Sequence, residues 1–204
     1  MFGIADYPAF VLAVIVFLAI PGPGNLALLT STAKGGLRGG LAATLGVIAG
    51  DQVLMWAAVA GVAAVLATQP EFFQAMQWLG AAYLSYIGYK MWTTKEGDAP
   101  VINITAGHYF QQSLWITLLN PKAIMFYMAF FPLFIDPQVH AGFFTFGVMA
   151  VTVAALTFLY GLIICILAQR LSTRLQQRPW IGRALQKVGG GLLVAFGLKL
   201  VLGK

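Results

Sequence analysis

The sequence contains little charge, one cysteine and two histidines. Of its 204 residues only 9% are charged, 12 as Lys or Arg and 6 as Asp or Glu, whereas 60% are hydrophobic. A soluble chain of this size could not bury so much apolar surface. A disordered chain needs the opposite composition, with low hydrophobicity and high net charge. The composition therefore excludes both classes and predicts an integral membrane protein.

The same scarcity argues against several kinds of site. Cys165 is the single cysteine, so the chain can form no internal disulfide, CxxC redox pair or cysteine metal cluster. His108 and His140 lie far apart in sequence and at loop edges, which argues against a metal site. The basic residues are spread along the chain, so the net charge of +6 is better explained by membrane topology than by nucleic-acid binding. We expect no cofactor, no metal and no nucleic-acid partner.

Uncharged apolar runs recur along the chain at the length that a membrane-crossing helix needs, about 20 residues. The run 123–135 is too short by itself and reaches that length only if its helix begins near Gln111. A polar loop occupies about 93–110. We therefore predict an all-α protein in the lipid bilayer, with six transmembrane helices at 7–33, 39–68, 72–89, 111–135, within 137–169, and at 188–202.

Basic residues are unequally divided between the two sets of loops. Two lie on one side, Lys199 and Lys204. Nine lie in the loops that follow the first, third and fifth predicted helices: Lys34, Arg38, Lys90, Lys95, Arg170, Arg174, Arg178, Arg183 and Lys187. Because cytoplasmic loops carry the excess of Lys and Arg, this pattern predicts that both termini lie outside the cytoplasm.

Two of the predicted helices are interrupted by proline near their middle. The interruptions are Pro21, Gly22, Pro23, Gly24 and Asn25 in the first helix, and Asn120, Pro121 and Lys122 in the fourth. A proline lacks an N–H group and crowds the carbonyl four residues before it. The carbonyls of Phe17, Ala19 and Thr117 are therefore predicted to lose their helical hydrogen bonds.

The two interruptions are 100 residues apart, and each lies in the first helix of a group of three. Because three is odd, two such groups in tandem face the membrane in opposite directions. We predict a single transport domain, 1–204, made of inverted repeats at about 1–95 and 111–204. A lone proline is usually only a kink, but broken helices at matching positions of two halves indicate a transporter with its site between them.

Two charged residues lie at the same predicted depth as the breaks. Asp51 is in the second helix, 13 residues after Arg38, and Lys122 follows Pro121. A charge inside the membrane costs at least about 2.5 kcal/mol and so normally faces a cavity or an opposite charge. Asp51 and Lys122 could form a static ion pair. Alternatively, Asp51 couples transport to protons while Lys122 attracts an anionic group.

Several of these segments, in this order, resemble the LysE/RhtB family of amino-acid exporters, and the resemblance extends over essentially the whole chain. It rests on Pro21-Gly22-Pro23, Gly50-Asp51, Asn120-Pro121-Lys122-Ala123 and Phe126-Tyr127. The leucine-exporter branch is the most similar, through Gly50, Asp51, Val53, Leu54 and Met55 and through Phe131, Phe134, Ile135 and Asp136. One departure is Gly24 before Asn25, an added residue that would rotate Asn25 relative to the break.

The resemblance implies a secondary transporter in the inner membrane of a bacterium, with periplasmic termini. It would export neutral amino acids, leucine-like or homoserine- and threonine-like, by exchange with protons and by alternating access between the two halves. A passive channel and an exporter of another small solute remain alternatives. An intramembrane enzyme is a weaker one, because no clustered nucleophile and base are visible. The sequence leaves open whether the chain acts alone or as a homodimer.

The chemistry of a zwitterion then suggests where each group binds. Helix N-termini at the breaks, together with Lys122, would receive the carboxylate. The released carbonyls and Asp51 would receive the ammonium group. The expected apolar wall for the side chain consists of Met55, Trp56, Phe126 and Tyr127.

Overall fold

The computed structural model describes residues 4, 6–20, 22–68, 86, 89, 93, 103–130, 134, 142–175, 187 and 191. These residues are mostly helical. In chain order the helices are α1 (Tyr7–Ala19), α2 (Pro23–Thr68), α3 (Tyr109–Leu118), α4 (Pro121–Met125) and α5 (Phe143–Leu175), with a π-helical segment at Phe126–Phe130 after α4. The predicted third and sixth transmembrane helices lie outside the described residues, and the six-helix inverted repeat stays a prediction.

Two segments are long and apolar enough to cross a membrane, Pro23–Gly61 and Phe143–Arg170, and Tyr7–Ala19 is a shorter apolar helix. Their length and composition fit an all-α membrane protein. Many large side chains on their surfaces are exposed, including Leu45 and Val53 on α2 and Val151 and Ile163 on α5. Such side chains would be unfavourable against water but are suited to lipid.

The predicted turn between the first two membrane helices is present as a reversal of the chain inside α2. Gly36 has φ 59° and ψ −159°, a conformation that is nearly restricted to glycine. Beyond it the chain folds back, so that a methyl group built on Gly39 would lie 2.6 Å from the Ser31 carbonyl oxygen. Thus α2 consists of two antiparallel arms, 23–35 and 37–68.

The breaks in the first and fourth predicted helices are also present. The first helix stops at Ala19 and resumes at Pro23, and the fourth stops at Leu118 and resumes at Pro121. The fourth begins at Tyr109, close to the predicted start near Gln111, with His108 at its N-cap position. Each resuming helix has proline in its first turn, the position where a missing N–H costs nothing.

Contacts at the two ends of the helix bundle fit the predicted pairing of loops. At one end, Lys34 Nζ donates to the Ile104 carbonyl at 2.8 Å and to Asn103 Oδ1 at 3.2 Å. At the other end, the Tyr7 hydroxyl lies 3.1 Å from Thr152 Oγ1. The loop after the first predicted helix and the loop before α3 are therefore neighbours, as expected for two loops on one side of a membrane.

The long arm of α2 packs closely against α3 and α5 through small residues. A methyl group built on Gly50 would lie 2.7 Å from Thr117 Cβ of α3, and one on Gly161 of α5 would lie 2.5 Å from Thr44 Cγ2. Gly46 faces the α3 backbone at Phe110 in the same way. Small residues at such positions let helix backbones approach each other, which is the usual basis of helix packing in membranes.

We predict that Gly46→Ala separates α2 from α3. The new methyl would lie 3.0 Å from the carbonyl carbon of Phe110 and overlap its oxygen, and backbone cannot rotate away. Overpacking of this kind costs about 1–3 kcal/mol, so the thermal midpoint in detergent should fall by several degrees. Gly61→Ala is the control, because its methyl would meet nothing within 4 Å. Equal midpoints for the two variants would contradict this packing.

Candidate functional site

The first break is closed by the side chain of Asn25. The carbonyls of Leu18 and Ile20 point beyond the last turn of α1, and Asn25 Nδ2 donates to them at 3.1 Å and 3.0 Å. The same amide lies 3.2 Å from the Tyr160 hydroxyl of α5. The break is therefore held by a side chain five and seven positions later than the two carbonyls, and the same side chain ties α1 and α2 to α5.

The second break is closed by Asn120, which is 7% exposed. Its Oδ1 accepts from the Lys122 backbone N–H at 3.1 Å and caps α4. Its own backbone N–H donates to the Thr117 carbonyl at 3.1 Å. The prediction of released carbonyls needs correction here, because the Thr117 carbonyl is bonded. At the first break, the polar side chains reach Leu18 and Ile20 rather than the predicted Phe17 and Ala19 carbonyls.

Lys122 connects the two breaks. Its Nζ donates to the Ile20 carbonyl at 2.7 Å, across 102 positions of sequence. It also lies 4.6 Å from the centre of the Phe17 ring, which is cation–π distance. Gly22 lies close to the Lys122 side chain, since a methyl group built on Gly22 would lie 3.5 Å from Lys122 Nζ. The ammonium group is thus held at the carboxyl end of α1.

Asp51 is 2% exposed and lies beside hydroxyl groups. Thr157 Oγ1 of α5 is 3.5 Å from Asp51 Oδ2, and the Tyr127 side chain hydrogen-bonds to the carboxylate. Asp51 and Lys122, both in the described part of the chain, are near enough to attract each other but form no salt bridge in this structure, where the Lys122 ammonium bonds to the Ile20 carbonyl. The anticipated ion pair is therefore not formed here.

A cleft of about 450 Å³, counted with its open mouth, lies where these groups meet. Its residues come from both breaks, from the second arm of α2 and from α5. They are Phe17, Leu18, Gly24, Asn25, Leu28, Val47, Asp51, Thr117, Asn120, Lys122, Ala123, Thr157 and Tyr160.

The cleft contains some of the expected site residues and not others. The polar ones that line it are Asn25, Asn120, Asp51 and Lys122. The proposed apolar wall lies elsewhere. Met55, Phe126 and Tyr127 do not line the cleft and are buried in the core formed by α1, the second arm of α2, the π-helical segment and α5. Tyr127 still reaches the Asp51 carboxylate from there. Trp56 stacks on Phe143 with ring centres 5.1 Å apart.

The remaining predicted site residues are the glycines and prolines that form the two breaks. Gly24 lines the cleft, and Gly22 approaches Lys122. Pro23 and Pro121 occupy the first positions of α2 and α4. Pro21 lies outside the described residues.

Sequence reasoning did not identify three polar groups of the cleft. Thr157 and Tyr160 project from α5, and Thr117 from α3. Thr117 Oγ1 is buried and makes no hydrogen bond in the described part of the structure. One sequence signal could have identified Thr157 and Tyr160. They are hydroxyl residues three positions apart within an uncharged, mostly apolar run, a spacing that places both on one helix face.

The described residues include no group of three or more His, Cys, Asp or Glu side chains arranged to hold a metal ion. What the cleft offers is one carboxylate, one ammonium, two amides and three hydroxyls in an apolar surrounding. Such a set can bind a small polar molecule that carries both charges. Broken helices around a cleft with opposite charges, in a chain of apolar helices, define a membrane transporter.

Comparison with known proteins supports the class of membrane transporter and identifies the family. Residues 15–204 match the family described as LysE type translocator, and the chain belongs to that family. It is therefore a transporter and not an enzyme. No solved structure matches the chain.

Relatives are similar over nearly their whole length. A Pseudomonas aeruginosa protein described only as an uncharacterized membrane protein is 33% identical over 97% of this chain and 95% of its own. The leucine efflux protein of Salmonella typhimurium is 36% identical over 94% of this chain and 91% of its own. The leucine efflux protein of Klebsiella pneumoniae is 30% identical over 98% and 96%. The resemblance to leucine exporters is thus confirmed.

We predict that Asn25→Ala destabilises the break. It leaves the buried Leu18 carbonyl without the amide that now bonds to it and the Ile20 carbonyl with the Lys122 ammonium alone. A buried polar group left unpaired costs about 1–3 kcal/mol. The thermal midpoint in detergent should fall by several degrees. Asn103→Ala is the matched control, because Asn103 is exposed and contacts Lys34 at the surface. An equal fall in both variants would show that Asn25 does not hold the break.

Proposed function

We propose that the protein exports neutral amino acids from the bacterial cytoplasm. The observation that carries this proposal is the cleft in which Asp51 and Lys122, one negative and one positive, meet both proline-broken helices. A free amino acid has a carboxylate and an ammonium on the same carbon, so it matches a small cavity with both signs of charge. The names of the leucine efflux relatives support the same substrate class.

The first break itself has the polarity that a zwitterion needs. The carboxyl end of α1 carries a partial negative charge and the amino end of α2 a partial positive charge, and Ile20 and Gly24 mark these ends only four positions apart. A methyl group built on Gly24 would meet nothing within 4 Å, so the α2 end is open for an anionic group. We assign the substrate carboxylate to this end and to Lys122.

The side chain of the substrate would lie against the apolar part of the cleft. That part is formed by Leu28, Val47 and Ala123, together with Phe17 and Leu18. These replace the wall of Met55, Trp56, Phe126 and Tyr127 that the sequence suggested. Aliphatic walls without a further charge favour a neutral, leucine-like side chain over a charged one.

Asp51 is our candidate for coupling export to protons. It is buried, yet it faces the cleft and hydroxyl groups rather than a salt-bridge partner. A carboxyl group placed in this way can gain and lose a proton as the cleft is exposed to one side of the membrane and then the other. Alternating access between two inverted repeats, with both termini in the periplasm and the chain in the inner membrane, completes the proposal. A homodimer would be compatible with it.

We predict that Asp51→Asn and Lys122→Gln lower the flux of leucine from reconstituted liposomes. Losing a hydrogen bond to a charged group costs about 1.5–3 kcal/mol, which corresponds to a loss of about 10- to 100-fold. Asp6→Asn and Lys187→Gln are the matched controls, because both residues are exposed outside the cleft and asparagine also caps helices. Undiminished flux in both cleft variants would refute the site.

The same liposomes test coupling. With Asp51→Asn, leucine-for-leucine exchange should persist while a pH gradient no longer drives net flux, because the amide cannot carry a proton. A gradient effect equal to that of wild type would remove Asp51 from coupling. Flux that never saturates and shows no exchange would identify a passive channel. A panel of other amino acids would then be compared to define the substrate.

A further inference from the structure

The ammonium group of Lys122 lies in a small pocket that we call the ammonium cradle, formed by the Ile20 carbonyl and the face of the Phe17 ring. The distances are 2.7 Å from Nζ to the Ile20 oxygen and 4.6 Å from Nζ to the ring centre. Both components attract cations, the carbonyl as a hydrogen-bond acceptor and the ring through its negative face. The carboxyl end of α1 adds a partial negative charge at the same point.

The two components of the cradle are held by contacts that do not involve Lys122. Phe17 stacks on Phe126 with ring centres 4.0 Å apart and an interplanar angle of 17°, and it is also in edge contact with Tyr127. The Ile20 carbonyl is held by Asn25 Nδ2 at 3.0 Å. Lys122 itself hangs on a flexible four-carbon stem. The ammonium can therefore leave while its partners stay in place.

The α-ammonium group of an amino acid is chemically the same group as the one that now fills the cradle, a primary ammonium with three donors. Phe17 and Lys122 both line the cleft, so the cradle opens to a bound substrate. Two like charges cannot occupy it together. An amino acid that enters with its ammonium toward α1 must therefore displace Lys122.

We propose, as a refinement that rests on the proposed function, that Lys122 occupies the substrate ammonium site of the empty transporter. On binding, the substrate ammonium takes the Ile20 carbonyl and the Phe17 face, and Lys122 moves to the substrate carboxylate. When the substrate leaves, Lys122 returns. This exchange keeps the carbonyl bonded and the Lys122 charge stabilised in both states, which matters because unpaired polar groups at membrane depth are costly.

The proposal predicts opposite effects of Lys122→Met on two ligands. L-Leucine has both charged groups, whereas 3-methylbutylamine has the ammonium without the carboxylate. Removing the competing ammonium should strengthen binding of the amine by about 10-fold, from the 1.5–3 kcal/mol of a charged hydrogen bond. It should weaken binding of leucine, which loses its carboxylate partner. The measurement is calorimetric titration of the purified full-length protein in detergent.

Phe17→Leu is the second variant, and it is combined with Lys122→Met, because in wild type the ring loses one ammonium as it gains the other and its removal would change the affinity little. In the Lys122→Met background it should weaken binding of both ligands about 2- to 30-fold, the range expected for a cation–π contact. Phe10→Leu is its matched control, because Phe10 is a buried core phenylalanine that does not line the cleft. If Lys122→Met does not fold, Lys122→Gln, which also removes the charge, serves as the background for the same comparison of Phe17→Leu with Phe10→Leu.

The outcomes separate this proposal from the function on which it rests. Leucine binding to wild type with amine binding unchanged or weaker in Lys122→Met refutes the cradle and leaves amino-acid export standing. Equal effects of Phe17→Leu and Phe10→Leu in the background that lacks the Lys122 charge refute it as well. If wild type binds no amino acid of the panel, the proposed function fails, and the cradle with it.

Discussion

A backbone that leaves its helix inside a membrane exposes carbonyl groups that no water is present to solvate, and this constraint organises the whole site. The chain meets it at the first break with the Asn25 amide and the Lys122 ammonium, both of which donate to the Ile20 carbonyl. At the second break the Asn120 side chain caps the helix that resumes. The groups that stabilise the breaks are thus the same groups that line the cleft.

Close packing of the helices is what allows these long-range bonds. Gly50 lets the second arm of α2 approach α3 at Thr117, which places Asp51 beside the second break. Gly161 of α5 accommodates Thr44 of α2 in the same way. As a consequence, the carboxylate of one helix and the hydroxyls of another face a single cleft. Stability and function therefore depend on the same small residues.

The sequence was sufficient to predict the class of protein, the two breaks and the loop between the first two membrane helices, because each follows from local chemistry. Proline removes a helical bond wherever it stands, and scarce charge requires a membrane. The sequence also indicated Asp51 and Lys122 as site residues, because a charged residue within an apolar membrane helix normally faces a cavity or an opposite charge. The partners across the fold were not predictable in this way. Which carbonyl Lys122 reaches, and the role of Thr157 and Tyr160, depend on how separate helices meet, and no local pattern encodes that.

The prediction of which residues form the apolar wall of the cleft was wrong because it too depends on how separate helices meet. Met55 and Trp56 follow Asp51 closely in sequence, so they were expected beside it. Trp56 is five residues after Asp51 and therefore lies about 140° around the helix, where it stacks on Phe143. Met55 is four residues after Asp51, on the same face but one turn further along, where it is buried in the core. The aliphatic residues that do face the cleft, Leu28 and Val47, lie on other turns of α2.

An amino acid is expected to bind in the cleft between the two broken helices, and every other role assigned to the site depends on this. Photolabelling tests it most directly, with a diazirine analogue of leucine irradiated on the reconstituted protein and the labelled residues mapped by mass spectrometry. We expect labels on cleft residues such as Leu28 and Val47, suppressed by excess leucine. Labels confined to the Trp56 and Phe143 surface, or labels that excess leucine leaves unchanged, would contradict the account.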